Sequence, residues 1–518
     1  MNPDPRVESL AGLLERQAVA HGSRPVLSFG DGTTITYSEL GELVARARGA
    51  LRDLGVRPGD RVGLMMKNSL FFPLAWLGTV TAGATAVPIN ARYGSNDAGF
   101  LIEHSRVSVV ICDEATEPVA RHVSEGRVSS ILSVGVEDHL PALLQRAEPV
   151  GPGRCTAQTV ANVQYTSGTT GFPKGCLLTH AYWQRMGAVT AALLRLAPGR
   201  RLLTAQPFSY VDPMWNVVAA IRCGTHLIVL DGFHPSSFMR SVSEWRVNSF
   251  YCLGVMPTLL LKQAPSTADR ANRLDRVICS GIPPTLHRDI EDRWGVPWLE
   301  AFGMTETGVN IAVSDDEHDE LVGTGSIGSP LPHCEAAVVD ESGGVVAAGD
   351  VGELRIRGLG FMEGYLDDPE ATSTFFLGGW ANTGDLVSRD DRGRIYFRGR
   401  RKELVRRGGE NISQAEVEFA LRAHDDVLDC AVTPVPDDDL GEEGKAYVVL
   451  QPGRAHDPER LRAHLGERLA PFKVPRYWEF RDDLPRTPSE RIAKGRLEDG
   501  RRSWRINTYD GRAKAWLD

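Results

Sequence analysis

A chain of 518 residues, 42% hydrophobic and 24% charged, is globular, free of low-complexity tracts and short repeats, and long enough for roughly three or four domains or subdomains. Its formal net charge of −9, with Lys and Arg interspersed among Asp and Glu, excludes the basic face that a nucleic-acid partner requires. The eight cysteines are scattered without a C-x-x-C pair, which excludes a zinc knuckle or a dithiol redox centre and reads as reduced thiols in a cytoplasmic protein.

In chain order, MNPDPRVESLAGLLERQ predicts an amphipathic helix and lacks the basic-then-apolar order of a signal peptide. From about residue 35 to 270, amphipathic helical patterns alternate with apolar runs such as RVGLMM, VSVVIC, THLIVL and SFYCLGV, as parallel sheets covered by helices require. The long apolar run LFFPLAWLGTVTAGATAVPI, 70 to 89, is broken by prolines and glycines. It predicts a buried helix, begun near Asn68 and running into a strand, and not a membrane span.

YTSGTTGFPKG, 165 to 175, gathers glycines, hydroxyls and one lysine. A Walker loop needs G-x-x-x-x-G-K-[ST], but Pro173 stands five residues after Gly168 and Gly175 follows Lys174. What is left is a turn whose backbone N–H groups and hydroxyls can wrap anionic oxygens; the residues alone also suit a solvent-exposed turn. Between about 320 and 400 the texture becomes short strands, EAAVVD, GELRIRG and RIYFRGR, separated by ESGG, LDDPE and DDRGR turns, as in a small antiparallel or barrel-like subdomain. The basic stretch RGRRKELVRRGGEN, 398 to 411, marks a domain boundary near 400. A helix opened by a Ser413/Glu416 capping box, the strand KAYVVLQP and the helix DPERLRAHLGERL then make a smaller α+β unit.

With YTSGTTGFPKG, the stretches AFGMTETG (301 to 308), WANTGD (380 to 385) and YFRGRRKELVRRGGENISQAEVE make nearly the whole chain resemble the AMP-forming adenylating enzymes. That superfamily includes acyl-CoA synthetases, peptide-synthetase adenylation domains and luciferases, and this chain looks like its acyl-CoA ligases of the carnitine-CoA ligase type. The resemblance implies an α/β fold. A large N-terminal domain, 1–400, of parallel-sheet αβ subdomains with a β-barrel-like subdomain at about 320–400, precedes a small mobile α+β domain, 401–518, that turns on a hinge near Lys402.

The same resemblance implies that Thr166, Ser167, Gly168, Thr169, Thr170 and Lys174 hold the outer phosphates of ATP, and that Phe302 beside Gly303 stacks on adenine. Thr305 would meet the α-phosphate, and Glu306 would hold Mg²⁺, a hard cation that takes carboxylate oxygen. Asp385 would accept both ribose hydroxyls with Arg400 beside it, and Gly408 and Gly409 would lie in the loop brought to the acceptor thiol of CoA. Tyr210, Asp212, Trp215, Gly254 and Met304 are expected around the acyl group, with Gly281 in SGIPP close by.

Two departures from the family pattern bear on chemistry. The adenylation lysine belongs in P-K-T-x-x-G-K-I, whereas LPRTPSERIAKGRL puts Glu490 at the glycine and Arg491 at the lysine, with Lys494 three residues on. Either Lys494 reaches the site, which is the preferred reading, or Arg491 substitutes with its planar fork, or the step makes other demands. In PFSYVDPMWN, 207 to 216, a pocket-facing Asp212 disfavours a long fatty chain; an Asp212 turned away carries no such inference.

The expected function is therefore Mg-ATP-dependent ligation of a small or aromatic acid to CoA through an adenylate. An alternative is a diazotase that activates nitrite and passes it to an aromatic amine. A third is a nucleotide sensor, which would not need the metal carboxylate of Glu306. Neither the acid nor the oligomeric state, homo-oligomer included, is legible.

Overall fold

The computed structural model describes residues 8–126, 128–134, 140–166, 173–253, 256–266, 269–400, 403–407, 410–437, 440–487, 492–497 and 504–517. Among them, strands assemble into sheets of six, fourteen and seven. In the six-stranded sheet, Arg61–Met65, Thr85–Pro88, Val109–Asp113, Ser130–Val134 and Val160–Thr166 run parallel, and Lys174–Thr179 returns antiparallel against the last of them. The side chains of Arg61–Met65, Thr85–Pro88 and Val109–Asp113 are buried on both faces, which is why these strands read as continuous apolar runs instead of alternating ones.

The fourteen-stranded sheet has two textures. Pro25–Phe29, His226–Val229, Arg201–Thr204, Ser249–Leu253, Arg276–Ser280 and Trp298–Met304 are parallel neighbours. Trp298–Met304 then folds back on Gly308–Ala312, and through Ser326–Pro330 the sheet continues into antiparallel Ile395–Arg400, Trp380–Arg389, Val351–Gly358 and Cys334–Val339. The fold-back is tight: a Cβ on Gly303 would lie 2.7 Å from the Gly308 carbonyl oxygen, so the hairpin closes only over a bare backbone. The antiparallel part wraps its own core of Ile311, Ile327, Val338, Leu354, Ile356, Val387 and Ile395. Asp340 and Asp390 close its turns, each accepting two backbone N–H groups through Oδ1.

One apolar cluster joins the first two sheets through the helices Phe71–Thr81, His180–Leu193 and Val211–Cys223, with Trp76, Trp183 and Phe208 fully buried. The helix expected to begin near Asn68 begins at Phe71 without a side-chain cap. Asn68 instead donates to the carbonyls of Gln206 and Leu230, both at 2.9 Å, and accepts from Phe208 N, so its amide is committed to bridging the two sheets. LDDPE, expected as a turn, opens a helix: Asp368 accepts from Ala371 N and caps Pro369–Phe375.

The third sheet holds Leu404–Arg407, Glu410–Ser413, Val427–Asp437, Gly441–Leu450, Tyr477–Phe480 and a closing hairpin of Thr508–Asp510 and Ala515–Leu517. Helices Gln414–Arg422 and Pro458–Gly466 cover its core. Only half of the expected capping box forms. Ser413 accepts from Glu416 N, but the Glu416 carboxylate is drawn to Lys473 Nζ at 2.7 Å. Among the described residues, no helix is long and apolar enough to cross a membrane.

Candidate active site

Parallel strands present their carboxyl ends as natural ligand sites, and three such ends carry most of the expected residues. Thr166 closes Val160–Thr166 and pairs with Lys174, the first residue of the return strand. Ser167, Gly168, Thr169 and Thr170, between them, lie outside the described residues. The free edge of the return strand is taken by residues 363 to 366, through Leu177 N to Gly364 O at 2.9 Å and Leu366 N to Gly175 O at 2.7 Å.

That pairing delivers Tyr365 to the site. Its ring centre lies 5.1 Å from Lys174 Nζ, and its hydroxyl donates to Glu306 Oε1 at 3.0 Å. Burial foremost, and then the neighbouring Glu306 carboxylate, push the phenol well above its ordinary range, so Tyr365 stays a donor. Met362 N donates to Glu306 O at 2.8 Å and fixes the turn that carries Thr305 and Glu306. Glu306 is buried, Thr305 half-buried. Beneath them the Cys176 thiol is pushed well up by burial and, secondarily, by Glu306. Lys174 and Glu306 are thus linked by a residue that sequence reading missed: a single tyrosine before a turn has neither charge nor spacing to mark it.

Asp385 and Arg400 face each other on adjacent strands of the antiparallel region, with Arg400 Nε donating to Asp385 Oδ1 at 3.0 Å. Asp385 is 2% exposed. Its turn is held by Thr383, whose Oγ1 accepts from Asp385 N at 3.1 Å and donates to Leu354 O at 2.7 Å. Phe302 is half-buried against the core of the antiparallel region, and Gly303 follows it in the hairpin.

Of the residues expected around the acyl group, Asp212 and Trp215, one turn apart on Val211–Cys223, line a narrow cavity with Asn216, Tyr251 and Ile278. Tyr210 does not line this cavity, because its hydroxyl accepts from Asn90 Nδ2 at 2.8 Å on the side of the six-stranded sheet. Met304 packs, half-buried, against the main core; Gly254 lies outside the described residues.

Gly281 has φ +95°, a conformation that suits glycine, and its N–H donates to Glu300 Oε1 at 2.6 Å while Ile282 N donates to Oε2 at 2.9 Å. Burial raises the Glu300 carboxyl to about 8 against the pull of those two N–H groups. Glu300 also escaped sequence reading, since it lies just before the quoted motif.

Lys494 is held by side chains that follow Arg400 in the chain. Its ammonium is 2.8 Å from Gln414 Oε1, 2.7 Å from Glu418 Oε1 and 3.6 Å from Glu403 Oε2. Glu418 is buried and also accepts from Val432 N. Lys402, Gly408, Gly409 and Arg491 lie outside the described residues.

The residues present suit ATP with a hard cation. Among the described residues no group of three His, Cys, Asp or Glu side chains could cage a metal ion. A single buried carboxylate such as Glu306 is instead what Mg²⁺ takes when phosphate oxygens and water complete its shell.

The chain matches the AMP-binding enzyme family over residues 14–366 and the AMP-binding enzyme C-terminal domain over 416–491. A feruloyl-CoA synthase from Amycolatopsis sp is 33% identical over 491 residues, covering 93% of this chain and 95% of that one. A crotonobetaine/carnitine–CoA ligase from Escherichia fergusonii is 31% identical over 482 residues, covering 89% and 93%. Among solved structures, o-succinylbenzoate CoA synthetase from Bacillus subtilis, in complex with its acyl-adenylate intermediate, superposes with a TM-score of 0.86 at 26% identity, covering 95% of this chain and 99% of that one.

Proposed function

Since the chain belongs to the AMP-binding enzyme family, whose acyl-CoA synthetases use ATP, Mg²⁺ and CoA, we propose that it ligates a small or aromatic carboxylic acid to CoA. A carboxylate oxygen of the acid attacks the α-phosphorus of ATP, the bond to the β-phosphate bridging oxygen breaks, and pyrophosphate leaves. The CoA thiolate then attacks the acyl carbon, and AMP leaves with the shared oxygen.

The observation that carries this reading is the convergence of Lys174, Tyr365 and Glu306 from the ends of strands in two sheets, together with the Asp385–Arg400 pair. In this reading Lys174 and the hydroxyls around Thr166 hold the outer phosphates, Thr305 meets the α-phosphate, and Asp385 accepts from ribose. Glu306 would hold Mg²⁺, which supplies charge neutralisation on the phosphoryl oxygens. Preorganised donors of this kind stabilise charge as it develops, because they need no reorganisation during the step.

Residues 401–518 form the proposed mobile domain, turning near Lys402 to bring residues 408 to 412 to the thiol. The chain changes sheets between Arg400 and Leu404, which supports a hinge there. Lys494, Gln414 and Glu418 all follow that hinge, so rotation carries them together and frees none. Breaking the buried Glu418 contact is costly, which favours Arg491 over Lys494 as the adenylation cation.

The test is incubation with Mg-ATP, a panel of carboxylic acids and CoA, following AMP and thioester. Acid-dependent AMP with a matching thioester supports the reading. Nitrite-dependent AMP with loss of an aryl amine would replace it by the diazotase, which draws no support from the relatives. Tight nucleotide binding without turnover would replace it by a sensor.

A further inference from the structure

The narrow cavity beside Val211–Cys223 carries a chemical preference of its own. Tyr251 lies in Ser249–Leu253, and its hydroxyl is 2.6 Å from Ser280 Oγ. Ser280 has one hydroxyl proton and donates it to the carbonyl of Ala301, so the contact with Tyr251 is donated by the phenol. Burial foremost and Asp212 second hold that phenol well above its ordinary range, which keeps its proton in place. What Tyr251 offers a ligand is therefore a lone pair, and an ionised Asp212 likewise only accepts.

Asn216, one turn after Asp212 on the same helix, supplies the opposite character. It is 1% exposed, it lines the same cavity, and its Nδ2 has no hydrogen-bond partner among the described residues. A buried amide donor left in that state is destabilising until something accepts from it. The space between these groups is water-sized and is walled on its other sides by Thr190, Leu193, Leu194, Trp215, Ile278 and Val309, so it admits one small polar group and no chain.

A group that fits must donate to a carboxylate and accept from an amide within the volume of a water. A hydroxyl does both; an ammonium only donates, and a methyl does neither. We propose that this cavity receives a hydroxyl of the acid substrate, with Asp212 and Tyr251 as acceptors and Asn216 as donor, making the protein a ligase for small hydroxy acids or phenolic acids. This rests on the CoA-ligase reading above and narrows its substrate class.

The experiment measures acid-dependent exchange of labelled pyrophosphate into ATP with matched sets: 4-hydroxybenzoate, benzoate, 4-methylbenzoate and 4-aminobenzoate; 4-hydroxycinnamate and cinnamate; 3-hydroxybutyrate and butyrate. The hydroxy member of the best set should exceed its unsubstituted partner by about 10- to 100-fold in kcat/KM, the size expected for a hydrogen bond to a charged group. Asp212→Ala should shrink that ratio to within about threefold, and Asp212→Asn, which keeps the shape, should leave an intermediate ratio in a protein of unchanged melting temperature. Exchange that prefers the unsubstituted, methyl or amino acid in every set, or a hydroxyl preference untouched in both variants, overturns the proposal and leaves the ligase reading standing. Absence of exchange with every acid overturns both.

Discussion

The hydroxyl of Tyr365 donates to Glu306 at 3.0 Å while its ring lies 5.1 Å from the ammonium of Lys174, so one aromatic side chain links the carboxylate assigned to the metal with the cation assigned to phosphate. Tyr365→Phe keeps the ring and removes only the hydrogen bond. Adenylation kcat/KM for ATP should fall about tenfold, and half-saturation should shift to higher Mg²⁺, as expected for losing a bond to a charged acceptor. A magnesium titration of the exchange rate checks this; a variant indistinguishable from wild type removes Tyr365 from the site.

Glu300 links stability to pH. Its carboxyl sits at about 8 in the folded chain against an ordinary 4.5, so folding favours the protonated form. The contribution is full below pH 4.5 and is lost as the pH rises toward 8. Melting temperatures of wild type and Glu300→Gln should therefore diverge across this window, wild type losing roughly a few degrees relative to the variant by pH 8. Parallel pH profiles would show that Glu300 does not titrate there.

How much of this was legible beforehand differs by region. The parallel strands were readable because burial on both faces forces continuous apolar runs, and the antiparallel turns because Asp340 and Asp390 are placed to grip backbone N–H groups. The phosphate, metal and ribose candidates came from motifs, and the structure brings Lys174 with Glu306 and Asp385 with Arg400. Tyr365 and Glu300 were not readable. Each acts through a partner 59 or 19 residues away, and no local pattern encodes such a pairing. The direction of the Tyr210 hydroxyl was not readable for the same reason, since Asn90, across the chain, decides it.

In the C-terminal sheet, Lys445 Nζ lies 2.8 Å from Glu479 Oε2, both side chains almost fully buried, and Arg481 Nε adds a bond to Glu479 Oε1 at 2.7 Å. Lys445→Met leaves that carboxylate buried with less compensation and should cost about 3–5 kcal/mol in urea unfolding. Replacing both, Lys445→Met with Glu479→Leu, should recover most of the loss. A single variant as stable as wild type would show the pair to be inert.

The two cations of the 490s separate cleanly. Lys494→Ala should lower stability, through Glu418, more than it lowers adenylation, whereas Arg491→Ala should cut adenylation by roughly 10²–10³-fold, the scale for losing a transition-state donor. Single-turnover rates beside melting curves decide between them. The reverse pattern would return the role to Lys494.

The most direct measurement supplies labelled pyrophosphate, unlabelled ATP, Mg²⁺ and an acid, without CoA, and asks where the label goes. Cleavage between the α- and β-phosphorus predicts acid-dependent label in ATP, lost in Lys174→Ala and Asp385→Ala. Label that stays in pyrophosphate while ADP accumulates would contradict the account.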